Sequence, residues 1–163
     1  MNKYKLVKLR KFTLKDINQK YLKWVNDKHL IKFTSIKRNQ KLEDLRKYVD
    51  ANIKNHSSHL FKILYKNIHV GNIRISKLIG NYATIGILIG EKKYSNKGIG
   101  TIAINKILNY AKRKKFKKIY IFLNKKNRQS FRVFEKNKFL QIKNIPKYIS
   151  IQKNEILLEK KII

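Results

Sequence analysis

The sequence predicts an α+β fold: an α/β sandwich on one mixed, mostly antiparallel sheet of about six or seven strands, with about four helices on its faces. Three observations predict it. The apolar runs LFKILYK, HVGNIRISKL and YATIGILIG follow one another with only short turns between them, as an antiparallel meander requires. The third run leads through a helical segment into KKIYIFL, and such a strand–helix–strand passage implies a parallel pair with a right-handed crossover. Finally, 163 residues with no internal repeat, no Gly/Ser linker and a single proline, Pro146, suit one domain spanning residues 1–163.

In chain order, residues 4–12 (YKLVKLRKF) alternate as a strand does. Thr13 and Asp16 stand at capping-box spacing and predict a helix from Thr13 to about Val25. Leu42, Leu45 and Val49 repeat at helical spacing within a second helix over 41–55. The meander follows. After it, Ile104, Ile107, Leu108 and Ala111 mark one face of a helix ending in KRKK, where cations suit the negative helix end. KKIYIFL is the next strand, NRQSFRVFEKN a short last helix, and FLQIKNI and EILLEKKI are closing strands.

Charge dominates the composition: 41 Lys+Arg against 9 Asp+Glu, formally +32. This balance attracts anionic ligands and disfavours polycations. The abundance of Lys, Ile and Asn also fits an A/T-rich coding bias, which leaves the shortage of acids unexplained. Nucleic-acid binding is not favoured, because the lysines are scattered and form no arginine-rich tract or aromatic–basic repeat. The absence of cysteine excludes disulfides, thiolate metal sites and a cysteine nucleophile, and no metal site is expected. The basic start MNKYKLVKLRKF lacks the apolar stretch of a signal peptide, and YATIGILIG is about half of what a membrane span needs. The expectation is a cytoplasmic protein without a membrane span.

The chemistry concentrates in YSNKGIGT, Tyr94 to Thr101. GIGTIA fits the dinucleotide template G-x-G-x-x-A, but EKKYSNK intervenes after the strand, and no acid follows Glu91 until Glu135. No Walker loop occurs. A glycine turn that merely starts a helix is one reading; a pyrophosphate site is the other. For the latter, consecutive N–H groups from Asn96 to Thr101 converge at a helix N-terminus, Gly98 and Gly100 permit close approach, and Lys97 adds a charge.

IGILIGEKKYSNKGIGTIAINKIL resembles the acetyl-CoA signature of the GNAT superfamily of N-acetyltransferases, Q/R-x-x-G-x-G/A after the strand that ends a meander. NRQSFRVFEKNKF resembles that family's second signature, N-x-x-S/A-x-x-x-Y/F-E-K-x-G-F, and the order of elements matches over essentially the whole chain. The resemblance implies a GNAT-like sheet and acetyl-CoA as co-substrate. It implies that the backbone of Leu88, Ile89 and Gly90 holds the pantetheine arm, with the Ile89 amide at the thioester oxygen. It also implies that Ser95, Asn96, Lys97, Gly98, Ile99, Gly100 and Thr101 cradle the pyrophosphate, and that Asn127 and Ser130 contact the cofactor's arm and phosphates. Asn127 equally reads as a helix N-cap.

The sequence departs from the family in four places. Ser95 replaces Gln/Arg, Lys138 replaces a glycine, Phe134 stands where many members have an acid tyrosine, and Phe122 stands where N-terminal-amine acetyltransferases of this superfamily often carry a glutamate, which weighs against the protein-acetylating reading. For the base that an ammonium acceptor requires, Glu91 lies nearest in sequence to the thioester site, with a surface pair to Lys92 or Lys93 as its alternative. His69 and Asp27 are further candidates with structural readings of their own.

YLKWVNDKHLIKFT resembles the W-x-N-D segment of GNAT members that acetylate amino sugars on nucleotide carriers, and of relatives that modify ribosomal proteins. That likeness implies an acceptor site bordered by Trp24 and Asn26, although a lone tryptophan also suits a core. The expected reaction moves acetyl to a primary amine on an anionic small molecule, an amino-sugar nucleotide for surface polysaccharide synthesis. The alternatives are a ribosomal or other protein amine, and an inactive module that binds acetyl-CoA or RNA. A homodimer is compatible with the sequence.

Overall fold

The computed structural model of the chain describes residues 2–162. Its elements are α1 (Lys3–Leu6), β1 (Val7–Lys11), a 3-10 turn (Leu14–Asp16), α2 (Gln19–Asn26), α3 (Leu42–Lys54), β2 (Ser58–Tyr65), β3 (Ile68–Ile79), β4 (Tyr82–Ile89), a second 3-10 turn (Lys92–Tyr94), α4 (Ile99–Arg113), β5 (Lys118–Asn124), α5 (Arg128–Lys136), β6 (Leu140–Ile142) and β7 (Glu155–Lys161). The strands form one seven-stranded sheet ordered β1-β2-β3-β4-β5-β7-β6. Among the described residues only the β4–β5 pair is parallel. The mixed, mostly antiparallel α+β fold read from the sequence is the fold observed.

The helices cover both faces. α4 lays Ala103, Ile104, Ile107 and Ala111, all fully buried, onto Ile63, Ile73, Ile75 and Ile119 of the sheet. Each such isoleucine is worth about 1.5–3 kcal/mol in burial, which is what fixes this helix to the sheet. On the opposite face α2 and α3 bring Tyr21, Trp24, Val25, Leu45 and Val49 together with Phe12 and Leu60. Among the described residues no helix is long and apolar enough to cross a membrane.

Three local expectations are corrected. The strand predicted over 4–12 starts at Val7; before it, Asn2 accepts a hydrogen bond from the Tyr4 N–H and caps a single helical turn. The helix predicted from Thr13 to Val25 is broken. Asp16 does accept from both the Thr13 N–H and its hydroxyl at 2.8 Å, but it is also held by an ion pair with Lys62 of β2. Ile17 then turns extended, and Asn18 accepts from the Tyr21 N–H to restart the chain as α2. FLQIKNI contributes only Leu140–Ile142 as strand.

The feature that positions the site is a divergence. β4 pairs with β5 only over Tyr82–Thr84 and Lys118–Tyr120. Beyond that, β4 stays bound to β3 up to Ile89, and β5 stays bound to β7 up to Asn124. Each strand follows its own neighbour, so sheet twist opens a wedge between them.

Candidate active site

The wedge is lined by backbone. The Gly90 N–H donates to the Val70 carbonyl at 3.0 Å, towards β3. Because N–H groups alternate sides along a strand, Ile87 and Ile89 direct theirs to the other side, where β5 has left. Two glycines allow the close packing behind this edge. A Cβ on Gly71 would lie 2.3 Å from the Leu88 carbonyl oxygen, and one on Gly90 would lie 1.9 Å from the Trp24 ring. Leu88 packs against the α2–α3 core and Ile89 against the α4 core, so the edge is anchored on both faces.

The glycine loop meets this wedge. Gly98, with φ +78°, is the N-cap of α4, and Asn96 also takes a positive φ of 58°. Among the described residues, none of the six consecutive N–H groups from Asn96 to Thr101 donates a hydrogen bond. Unpaired backbone donors are rare in folded proteins, and six together at a helix N-terminus form an anion cradle. The Lys97 carbonyl accepts from Lys3 Nζ at 3.2 Å, and Asn96 Oδ1 accepts from Gln129 Nε2 at 3.1 Å, which ties the loop to α5. Ser95 is half-buried, with its N–H on the Lys92 carbonyl. Ile99 is buried and pins the first turn to the core. A Cβ on Gly100 would stand 3.7–3.9 Å from Val133, Ile87 and Ile89, so the start of α4 rests directly on the wedge strand.

The second signature forms α5. Asn127 Oδ1 caps it by accepting from the Ser130 N–H at 3.1 Å, while its Nδ2 has no partner among the described residues. Phe134 is buried edge-on against Phe139 at 5.2 Å and brings no hydroxyl to the site. Phe122 packs on the opposite side of β5, in the cluster of Tyr120, Ile149 and Leu157. Asn137, absent from the sequence expectations, donates from Nδ2 to the Thr101 and Val133 carbonyls and locks α4 to α5. Its only sequence signal is a polar residue at the end of an amphipathic helix.

On the α2 side, Glu91 pairs with Lys20 at 3.2 Å rather than with Lys92 or Lys93. Lys20 Nζ also donates to the His69 carbonyl at 2.8 Å and lies 5.2 Å from the Trp24 ring centroid. Trp24 is only 4% exposed. Asn26 donates from Nδ2 to the Gln40 carbonyl at 2.9 Å and accepts from the Gln40 N–H at 2.8 Å, so both of its polar atoms hold a loop. Neither residue offers the free face or free amide of an acceptor contact; both brace the wall. Asp27 accepts from the His29 and Leu30 N–H groups, which hold its carboxyl below the usual range.

His69 stands edge-on to Trp24 and Phe12 with Nε2 beside the Asn72 Oδ1 (2.8 Å) and the Gly71 carbonyl (3.1 Å). Both neighbours accept, so Nε2 carries the proton in the neutral ring. Burial lowers its pKa, and the charges of Lys20 and Lys62 add to that against the hydrogen bonds that Nε2 gives to Asn72 Oδ1 and the Gly71 carbonyl. Asn72, unmarked in the sequence beyond its strand alternation, faces Leu88 in register, is buried, and has an Nδ2 without a partner. Burial likewise pushes the Tyr21 phenol upward beside it.

A family profile described as "Acetyltransferase (GNAT) domain" matches residues 7–140. A domain from Methanocaldococcus jannaschii is similar in structure, with a TM-score of 0.78 at 25% identity over 95% of this chain and 97% of that one. A GNAT-family acetyltransferase from Bacillus anthracis is similar with a TM-score of 0.78, 25% identity and coverage of 95% and 94%. Spermidine N-acetyltransferase from Vibrio cholerae, solved with CoA and spermine, shares the fold with a TM-score of 0.82 at 15% identity, covering 97% of this chain and 96% of its own. No curated protein sequence matches the chain. With its diverging strands and the loop matched by the profile, the chain belongs to the GNAT acetyltransferase family, the acetyl-CoA-dependent N-acetyltransferases.

Proposed function

We propose that the acceptor is the primary amine of an anionic small molecule, an amino-sugar nucleotide of the kind used for surface polysaccharides. The observation that carries the donor side is the run of unpaired N–H groups from Asn96 to Thr101 resting on the open edge of β4. In this reading the loop from Ser95 to Thr101 holds the pyrophosphate of acetyl-CoA, and Asn127, through its unpaired Nδ2, and Ser130 extend that grip from α5. The strand end Leu88, Ile89 and Gly90 holds the arm, with Ile89 presenting its backbone groups to the wedge while Gly90 is tied to β3. The Ile89 N–H receives the developing negative charge on the thioester oxygen as the amine attacks.

Glu91 takes the proton from the acceptor ammonium, and Lys20 orients its carboxylate. The amine nitrogen then forms its bond to the acetyl carbon; the carbonyl re-forms as the carbon–sulfur bond breaks, and the second proton of the nitrogen passes through solvent to the leaving thiolate, since Phe134 supplies no acid. Trp24 and Asn26 shape the acceptor wall from behind.

The +32 charge supports an anionic acceptor. Neighbours of the same fold act on cationic or protein amines. They include the spermidine enzyme, aminoglycoside acetyltransferase AAC(6')-Ib solved with CoA and kanamycin, and the ribosomal L7/L12 α-N-protein acetyltransferase RimL. A ribosomal acceptor is the second reading, favoured by the same charge, because RNA surrounds it.

The test is release of free thiol from acetyl-CoA with a panel of 4-amino-sugar nucleotides, ribosomal proteins and polyamines. Turnover with the sugar nucleotides is expected, and turnover only with polyamines would defeat the proposal. Gly100→Trp fills the contact between the loop and Ile89 and should abolish acetyl-CoA binding; an unchanged affinity would remove the loop from the site.

A further inference from the structure

None of the nine carboxylates of the chain lies on α1, β1 or α4. Five belong to the α2–α3 layer (Asp16, Asp27, Glu43, Asp44, Asp50), and the others are Glu91, Glu135 on α5, and Glu155 and Glu159 on β7. Among the described residues no cation of these three elements is in an ion pair, so the lysines and arginines of the groove that they form are uncompensated.

That face carries a groove of about 390 Å³ between α1, β1 and the middle of α4, whose lining includes Tyr4, Lys106, Asn109, Tyr110 and Arg113. Its rim is ordered by specific contacts. The Tyr4 hydroxyl donates to Asn105 Oδ1 at 3.1 Å and accepts from Asn109 Nδ2 at 3.4 Å. Lys106 Nζ sits 3.9 Å from the Tyr4 ring centroid, and Arg113 and Lys114 lie 5.9 and 5.8 Å from that of Tyr110. His59 meets Tyr110 edge-on at 5.5 Å; burial lowers its pKa, and Lys114, Lys11 and His56 lower it further with no acid to offset them. The cations here are preorganised on aromatic rings instead of being neutralised by carboxylates.

The geometry points to a docking surface for a polynucleotide, held by its phosphate backbone in the groove formed by α1, β1 and α4. Lys106 and Arg113 are seven residues apart on one helix, about 10 Å, a separation at which both can meet phosphates of one strand. The amides and hydroxyl between them suit phosphate and sugar oxygens, contacts that position a strand without reading its bases. An anionic membrane would instead need a flat face with apolar side chains to insert, whereas the rings here are turned to their cations. The groove's α4 cations lie apart from the glycine loop, Lys106 and Arg113 standing about 10 and about 20 Å along α4 from its start, although Lys3 of α1 reaches the Lys97 carbonyl of that loop. The inference therefore does not depend on the identity of the acceptor.

The experiment measures anisotropy of a fluorescein-labelled single-stranded RNA of about 20 nucleotides, titrated with the full chain between about 50 and about 200 mM chloride. A variant of three cations that line the groove, Lys8→Gln/Lys106→Gln/Arg113→Gln, is compared with a charge-matched control on the loop between β6 and β7, Lys143→Gln/Lys147→Gln/Lys153→Gln. The groove variant should bind about tenfold or more weakly, with a slope of log K against log salt shallower by about 2, while the control keeps the parental slope. Equal losses in both variants would overturn the proposal, because net charge alone would then account for binding. An unchanged slope in the groove variant would overturn it too. So would loss of binding to phosphatidylglycerol-containing vesicles in the groove variant with RNA binding intact. Both variants should retain acetyl-CoA turnover and a cooperative melt; if the triple variant fails to fold, Arg113→Gln alone carries the test, with a slope change of about 0.7.

Discussion

At the scale of single residues, the wall behind the open edge of β4 depends on one glycine. Gly90 has no Cβ because the Trp24 ring occupies that place, 1.9 Å from where the atom would stand. Trp24 cannot retreat easily, being hemmed in by Tyr21, His69 and the Lys20 ammonium. Gly90→Ala should therefore cost about 1–3 kcal/mol, read as a lower urea midpoint at unchanged m-value; an unmoved midpoint would mean that the indole does not rest on Gly90. Glu91→Gln should slow turnover at neutral pH while leaving acetyl-CoA affinity close to parental, and parental turnover would strike Glu91 from the mechanism. The sequence supplied these residues unequally. Gly98 was legible because a left-handed turn before a helix favours glycine. The partner of Glu91 was not, because Lys20 lies on α2 and reaches it only through the tertiary fold. The burial of Trp24 and the double engagement of Asn26 were hidden for the same reason: local pattern does not say which groups another element covers.

At the scale of elements, the meander and the crossover were legible because apolar runs of strand length and a helical face each leave a period. Ile104, Ile107, Leu108 and Ala111 are all buried on α4, as their spacing implied. α1 left no such period, since none of its residues is buried. Helix ends were legible only in part. The lysines closing α4 do more than meet the helix dipole: Lys115 sits at φ 60°, its N–H on the Lys112 carbonyl and that of Phe116 on the Ala111 carbonyl. α5 ends the same way, with Lys138 at φ 63°, its N–H on Glu135, the Phe139 N–H on Phe134, and the two phenyl rings in contact. Both ends are Schellman motifs with lysine where glycine is favoured. The departure at Lys138 is thus a conformational cost of order 1 kcal/mol. Lys138→Gly should raise the melting temperature by about 2–4 °C without changing turnover. A lowered melting temperature would show that the lysine side chain supplies packing that outweighs its backbone strain.

At the scale of the whole molecule, charge is the property that the fold reorganises most. The sequence shows 41 cations spread along the chain, and only the folded arrangement shows that α1, β1 and α4 hold none of the nine acids. Among the described residues five of those acids are in ion pairs, with Lys20, Lys47, Lys54, Lys62 and Lys118. Most of the remaining cations face water and one another, so self-repulsion works against the compact state while the same field draws in anionic ligands. Salt acts on both through one screening length, about 10 Å at 0.1 M and about 3 Å at 1 M. Raising potassium chloride should therefore move the two observables in opposite senses. The melting temperature should rise, because repulsion summed over many cations is screened while the partly buried Lys62–Asp16 pair is screened little. Over the same range kcat/KM for acetyl-CoA should fall, because the attraction that steers a polyanionic donor to the loop is screened as well. Chloride separates this effect from the general burial-strengthening action of sulfate or phosphate. A melting temperature that falls with chloride would mean that the ion pairs outweigh the repulsion. An acetyl-CoA dependence that ignores chloride would mean that the loop binds its ligand through backbone donors alone, with the +32 field contributing nothing to capture.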